Sequence, residues 1–214
     1  MVVMDKSSQR EHNIRSLAWG LTVLVAFVAI IGWGQSLQWQ LSSLSSYQIF
    51  PLLGLVAFSL LWSHYMVGAL QRYLKLDHAV FKNYYELTGY AVLLAILLHP
   101  GLLIWQLWQD GVGLPPNSYL TYVGKSMHAT VILGTISLVL FLAYELRRIF
   151  GNKSWWKYIS SASDIGMLLI VIHSLRLGSQ LQYGWLQTVW YFYGISLIMA
   201  LIYKYLHRQP QKSL

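Results

Sequence analysis

Seven histidines and no cysteine bound the chemistry open to this 214-residue chain. Without cysteine there is no disulfide, no thiolate nucleophile, no thiolate-ligated haem and no cysteine-bound iron–sulfur cluster. The histidines divide by their surroundings. His12, His78 and His207 stand in polar segments and read as solvated groups, whereas His64, His99, His128 and His173 interrupt long apolar runs. An ionisable side chain within a membrane is costly and is a functional candidate by default. Two neutral imidazoles at one depth on two helices can hold a haem iron from both faces.

The elements that position these residues must cross a membrane. Charged residues are 10% of the chain, against about 25% in a soluble protein, and hydrophobic residues are 56% with a mean hydropathy of +0.48. Ten Trp and fifteen Tyr suit the two faces of a bilayer. Crossing ~30 Å of hydrocarbon at ~1.5 Å per residue takes about 20 apolar residues. Six segments qualify, near 16–34, 48–71, 84–108, 119–145, 158–179 and 186–205. Lipid supplies no partner to open backbone, so each must be helical. The predicted fold is an all-α, polytopic six-helix bundle, with residues 1–214 as one domain and neither an internal repeat nor a soluble domain. The first segment is kept as a span because Gly32-Trp33-Gly34-Gln35 is a poor signal-cleavage site. Gly111, Gly113, Pro115 and Pro116 mark the longest connection, between spans three and four.

Orientation follows from the basic residues. Lys6, Arg10, Arg15, Arg72, Lys75, Lys82, Arg147, Arg148, Lys153, Lys157, Lys204, Arg208 and Lys212 fall on one side, and only Lys125 and Arg176 on the other. That split puts both termini in the cytoplasm. The net charge of +8 is thus a topology signal. It forms no basic stripe with interleaved aromatics, and no nucleic-acid partner is expected. The short cytoplasmic loops carry no nucleotide-binding glycine pattern, so a soluble electron donor would be a separate protein.

With the topology set, spans three and five run parallel. His99 and His173 each lie about fifteen residues into their span, ~22 Å from the cytoplasmic edge and in the outer half of the bilayer. The expectation is that they are the axial ligands of one b-type haem; the alternative is that each makes a polar helix–helix contact. Gly166, two turns before His173 on the same face, would leave room for a macrocycle. Arg176, one turn beyond His173, either pairs with a haem propionate through its planar fork or snorkels to the interface. Pro100 should disturb span three beside His99. Trp105, Trp108, Trp155, Trp156, Trp185 and Trp190 read as boundary anchors.

Three roles are open to His64 in the inner half: ligating a second haem, hydrogen-bonding a quinone head group, or packing. His128, one turn after Lys125, lines an outer substrate or propionate site or serves the interface structurally. Asp164, an unexpected charge in the inner half of span five, is protonated, pairs with a basic residue or relays protons. A single haem ~22 Å from the cytoplasm leaves a long tunnelling step, and a quinone or flavin near His64 and Asp164 is the preferred bridge.

Six spans with candidate ligands on the third and fifth resemble the ferric reductase-like transmembrane domain. That superfamily includes NADPH oxidases, ferric reductases and the haem-binding membrane subunit of the bacterial periplasmic methionine sulfoxide reductase system, which is nearest in size. The resemblance covers nearly the whole chain. Leu87-Thr88-Gly89 through Leu97-Leu98-His99 is similar to its third span, and Lys153-Ser154-Trp155-Trp156-Lys157 through Ile172-His173-Ser174 to its loop and fifth span. The resemblance implies haem b, a separate cytoplasmic flavin reductase or membrane quinone as donor, an acceptor on the outer side, and a bacterial inner (plasma) membrane. Many members carry a second histidine about four turns nearer the cytoplasm on both helices. Here those positions hold Tyr85 and Glu86, and Ile159 and Ser160, which argues against a conventionally ligated inner haem.

Two function classes follow. One is a membrane b-type cytochrome, an electron-transfer (oxidoreductase) subunit that works with a separate reductase or quinone and passes electrons to an outer-side acceptor. The other is a cofactor-free transporter or assembly subunit whose histidines are structural.

Overall fold

The computed structural model describes residues 6–42, 44–146, 150–151, 153–182 and 184–207. The chain is an all-α bundle, and no strand occurs among the described residues. Its helices are α1 (Lys6–Ser36), α2 (Ser46–Tyr73), α3 (Lys82–Gln109), α4 (Asn117–Val123), α5 (His128–Glu145), α6 (Trp156–Leu177) and α7 (Trp185–Leu206). All but α4 belong to one of six segments long and apolar enough to cross a membrane. Six crossings return the start of α1 and the end of α7 to one side. Arg72, Lys75, Lys82, Lys153 and Lys157 flank helix ends on that side, called here the basic end. Arg147, Arg148, Arg208 and Lys212 lie outside the described residues.

The fourth span is shorter than hydropathy suggests. A continuous helix over 119–145 was expected, but the chain breaks at Gly124, and the crossing segment is Lys125–Glu145. Gly124 adopts φ 75°, ψ 164°, a region essentially restricted to glycine. The short α4 therefore stands apart from α5 at the end opposite the basic one. Gly124→Ala is expected to destabilise the fold by about 1–3 kcal/mol, readable as a lower denaturant midpoint in detergent micelles. An unchanged midpoint would mean the break is not enforced at this residue. In contrast, α3 passes through Pro100 as one helix, so the missing N–H does not end it.

Packing divides the bundle into two antiparallel hairpins, α2 with α3 and α5 with α6, each turning at the basic end. Helix α1 lies against α2, and α7 joins the hairpins by contacting both α2 and α6. The helices carrying His99 and His173, α3 and α6, are not packed against each other. Phe58, Trp62, Met167, Trp190, Tyr193 and Leu197 form the shared core. Two expected boundary anchors belong to the interior instead. Trp190 is fully buried, with its Nε1 donating to Ser174 Oγ at 3.0 Å, and Trp156 is also buried. Trp105, Trp108, Trp155 and Trp185 are exposed. Outward faces carry Leu94, Val139, Ile195 and similar exposed apolar residues, the surface that lipid covers in a multi-pass membrane protein.

Candidate functional site

His99 and His173 are held by one device, built twice. His99 lies on α3, and its Nδ1 donates to the carbonyl of Phe50 on α2 at 2.7 Å. His173 lies on α6, and its Nδ1 donates to the carbonyl of Thr130 on α5 at 2.8 Å. A backbone carbonyl only accepts, so both rings carry their proton on Nδ1. Nε2 keeps its lone pair in each, and among the described residues neither Nε2 has a hydrogen-bond partner. Both side chains are half-buried. Lys82 to His99 and Trp156 to His173 are both seventeen residues, so each ring lies ~25 Å along its own helix from the basic end. The result is two oriented nitrogen donors on helices that do not pack together.

The neighbours expected to assist them sort differently. Gly166 does not open space for a macrocycle. A Cβ there would meet Leu140 Cβ and Cδ1 at 3.3 Å and Phe141 Cε1 at 3.5 Å, and Ser137 Oγ donates to its carbonyl at 3.0 Å. Gly166 thus lets α5 and α6 approach closely, as small residues do between membrane helices. Arg176 is exposed, one turn beyond His173. His128 opens α5, and its Nε2 donates to the Leu120 carbonyl at 3.0 Å, tying α4 to α5. Helix α4 in turn covers the far end of the first hairpin. Tyr119 donates to the Pro100 carbonyl at 3.4 Å, and Tyr122 stacks on Tyr47 with ring centroids 5.5 Å apart. Burial pushes the Tyr119 phenol up to about 12, so it remains a neutral donor.

Toward the basic end, α2, α3, α5, α6 and α7 surround a cavity of about 610 Å³. Its deep wall is apolar, with Leu61, Val92, Ile96 and Phe141, and its shallow wall carries Arg72, Lys82, Glu86 and Glu145. His64 and Asp164 both line it, as do Tyr85 and Ser160. Ile96, one turn below His99, marks how closely it approaches the histidine pair. His64 Nε2 lies 2.6 Å from Thr88 Oγ1, whose only hydrogen goes to the Tyr84 carbonyl at 2.6 Å. His64 must therefore donate through Nε2, which leaves that nitrogen no lone pair for a metal. Asp164 is buried but fully engaged. Lys204 Nζ pairs with its Oδ2 at 2.5 Å, Tyr205 donates to Oδ2 at 2.7 Å and Tyr65 to Oδ1 at 2.9 Å. Of the three roles open to Asp164, pairing with a basic residue is the one the geometry displays.

Several partners were not legible in the sequence. Phe50, Gly54, Thr130 and Gly134 are unremarkable apolar or small residues in their spans, and only the helix pairing brings them to the histidines. By sequence Lys204 counts among the basic residues that mark orientation, and its reach to Asp164 depends on α7 packing against α6. Among the described residues, no three of His, Asp or Glu gather as a metal-ion site, so the donor chemistry here is pairwise. No protein-family model, curated protein or solved structure matches this chain.

Proposed function

We propose that this chain is a membrane b-type cytochrome whose haem is held between His99 and His173. The observation that carries the reading is the matched pair of imidazoles, each fixed by an Nδ1–H bond to a backbone carbonyl. Metal-bound histidines almost always donate their other ring N–H in this way, which fixes the ring and raises its basicity. The equal offsets of the two residues along their helices and the separation of α3 from α6 leave room for a flat group between the helices. A bound haem would supply a one-electron iron couple. The chain's own part is to aim two Nε2 lone pairs, to surround the group with apolar side chains, and to offer Arg176 to a propionate at the outer edge.

In this reading the basic end faces the cytoplasm, as the charge asymmetry favours, in a bacterial inner membrane. Electrons come from a separate cytoplasmic flavin reductase or from membrane quinone and leave to an acceptor on the outer side. The cavity supports a quinone or flavin as the inner relay, because it joins His64 and Asp164 in one space and spans the stretch between the basic end and Ile96. A second haem is less favoured by the geometry, since His64 Nε2 is committed to Thr88. The experiment is a reduced-minus-oxidised spectrum with haem quantified per chain, on protein expressed with haem supplied. One low-spin b-type haem per chain and a strong Soret band are expected. A colourless, folded preparation would overturn the proposal in favour of a cofactor-free transporter or assembly subunit.

A further inference from the structure

Each histidine clasp contains a glycine at a fixed place. The carbonyl that accepts from His99 belongs to Phe50, and Gly54 follows it by four residues; the carbonyl that accepts from His173 belongs to Thr130, and Gly134 follows it by four. The spacing has a mechanical reason. In an α-helix the carbonyl of residue i points along the axis toward residue i+4, whose N–H it accepts. A second donor arriving from a neighbouring helix must reach that oxygen across the surface of residue i+4. A side chain at that position stands in its path.

The distances bear this out at both places. A Cβ on Gly54 would lie 2.8 Å from His99 Cε1 and 2.9 Å from Nδ1. A Cβ on Gly134 would collide with His173 Cε1 and Nδ1 and stand 3.1 Å from Nε2. Such approaches are below van der Waals contact, so the ring would have to leave the carbonyl. The two hairpins share this arrangement although Gly54 and His99 are 45 residues apart, and Gly134 and His173 are 39. Phe50 adds a wall to the first clasp, with its ring centroid 5.4 Å from that of His99.

We propose that Gly54 and Gly134 are positioning residues that admit each imidazole to its carbonyl and so set the proton position, orientation and basicity of the two nitrogen donors. The proposal rests on the cytochrome reading for its effect on haem, but the proton position is a property of the chain alone. With Nδ1–H bound to a carbonyl, the ring is a stronger electron donor and favours the oxidised iron. Losing that bond removes the preference.

The test uses full-length Gly54→Ala and Gly134→Ala, with Gly20→Ala and Gly101→Ala as controls because a Cβ at either control position meets nothing within 4 Å. In each clasp variant the haem is expected to bind about tenfold more weakly. At a fixed potential the ratio of reduced to oxidised haem should rise about tenfold, which is ~59 mV for one electron. The low-spin electron-paramagnetic-resonance signal should shift with it, and the controls should match the parent. In haem-free parent protein, ¹⁵N spectra of the labelled histidines should show His99 and His173 protonated on Nδ1. That measurement needs no variant to fold. Wild-type potential and resonance in both clasp variants, or protonation on Nε2 in the haem-free chain, would overturn the proposal. If the parent bound no haem, the cytochrome reading would fall while the ¹⁵N spectra still decided the clasp.

Discussion

Replacing either His99 or His173 by alanine is expected to abolish the six-coordinate low-spin haem spectrum and to lower retained haem at least about tenfold. In the proposed site each histidine would hold the haem through its Nε2, and either substitution would leave a single nitrogen donor. Changing a group that only supports a ligand already costs about 10–100-fold in metal affinity, so removing the ligand itself should cost no less. The two variants should behave alike, because both rings are fixed by equivalent bonds to backbone carbonyls. Free imidazole added to either should restore part of the low-spin signal by filling the space the side chain leaves. His64→Ala and His128→Ala should keep the parent spectrum, since Nε2 of each is engaged with Thr88 Oγ1 or the Leu120 carbonyl. Bleaching by His64→Ala or His128→Ala, with His99→Ala harmless, would show that the ligands have been misassigned.

The second large effect concerns stability. Lys204→Met should lower the free energy of unfolding by about 2–3 kcal/mol, whereas Asp164→Asn should cost less and the double variant should recover most of the loss. Removing one partner of a buried ion pair strands the other charge, at about 3–5 kcal/mol when both are fully enclosed. The Asp164 side chain is only 6% exposed, while that of Lys204 keeps 27%. Losing the lysine therefore strands the more deeply buried charge, and losing the aspartate leaves an ammonium that still reaches water. Tyr65 and Tyr205 would continue to donate to the carboxylate, which holds the cost below the upper limit. Unfolding titrations in mixed micelles measure the series. A Lys204→Met protein within ~0.5 kcal/mol of the parent would mean the pair carries little of the stability of this corner.

Some of this was readable from residues alone, and the reasons are physical. Membrane helices declare themselves because the apolar requirement falls on each span separately, without reference to any other. The like offsets of His99 and His173 from the starts of α3 and α6 are likewise a matter of counting. What could not be read is lateral. Which face of α6 meets α5 decides that Gly166 serves close packing, and no count along the chain supplies that face. The same holds for Trp190, whose indole points inward to Ser174 although aromatic residues near span ends usually mark the interface. Gly124 misled in another way. The run 119–145 is apolar enough to read as one helix, and only the backbone conformation at a single glycine divides it.

The separation of the two hairpins bears on how such a protein is made. Each clasp joins a helix to the one that follows it in its own hairpin, across a single turn at the basic end. A chain threading into the bilayer from its N-terminus completes the His99 clasp once α3 is in place, while α5 and α6 are still to be synthesised. The His173 clasp then forms within the later hairpin without disturbing the first. Neither histidine has to search for a partner across the whole bundle. Each waits in its final orientation within its own hairpin until the last helix joins the two hairpins.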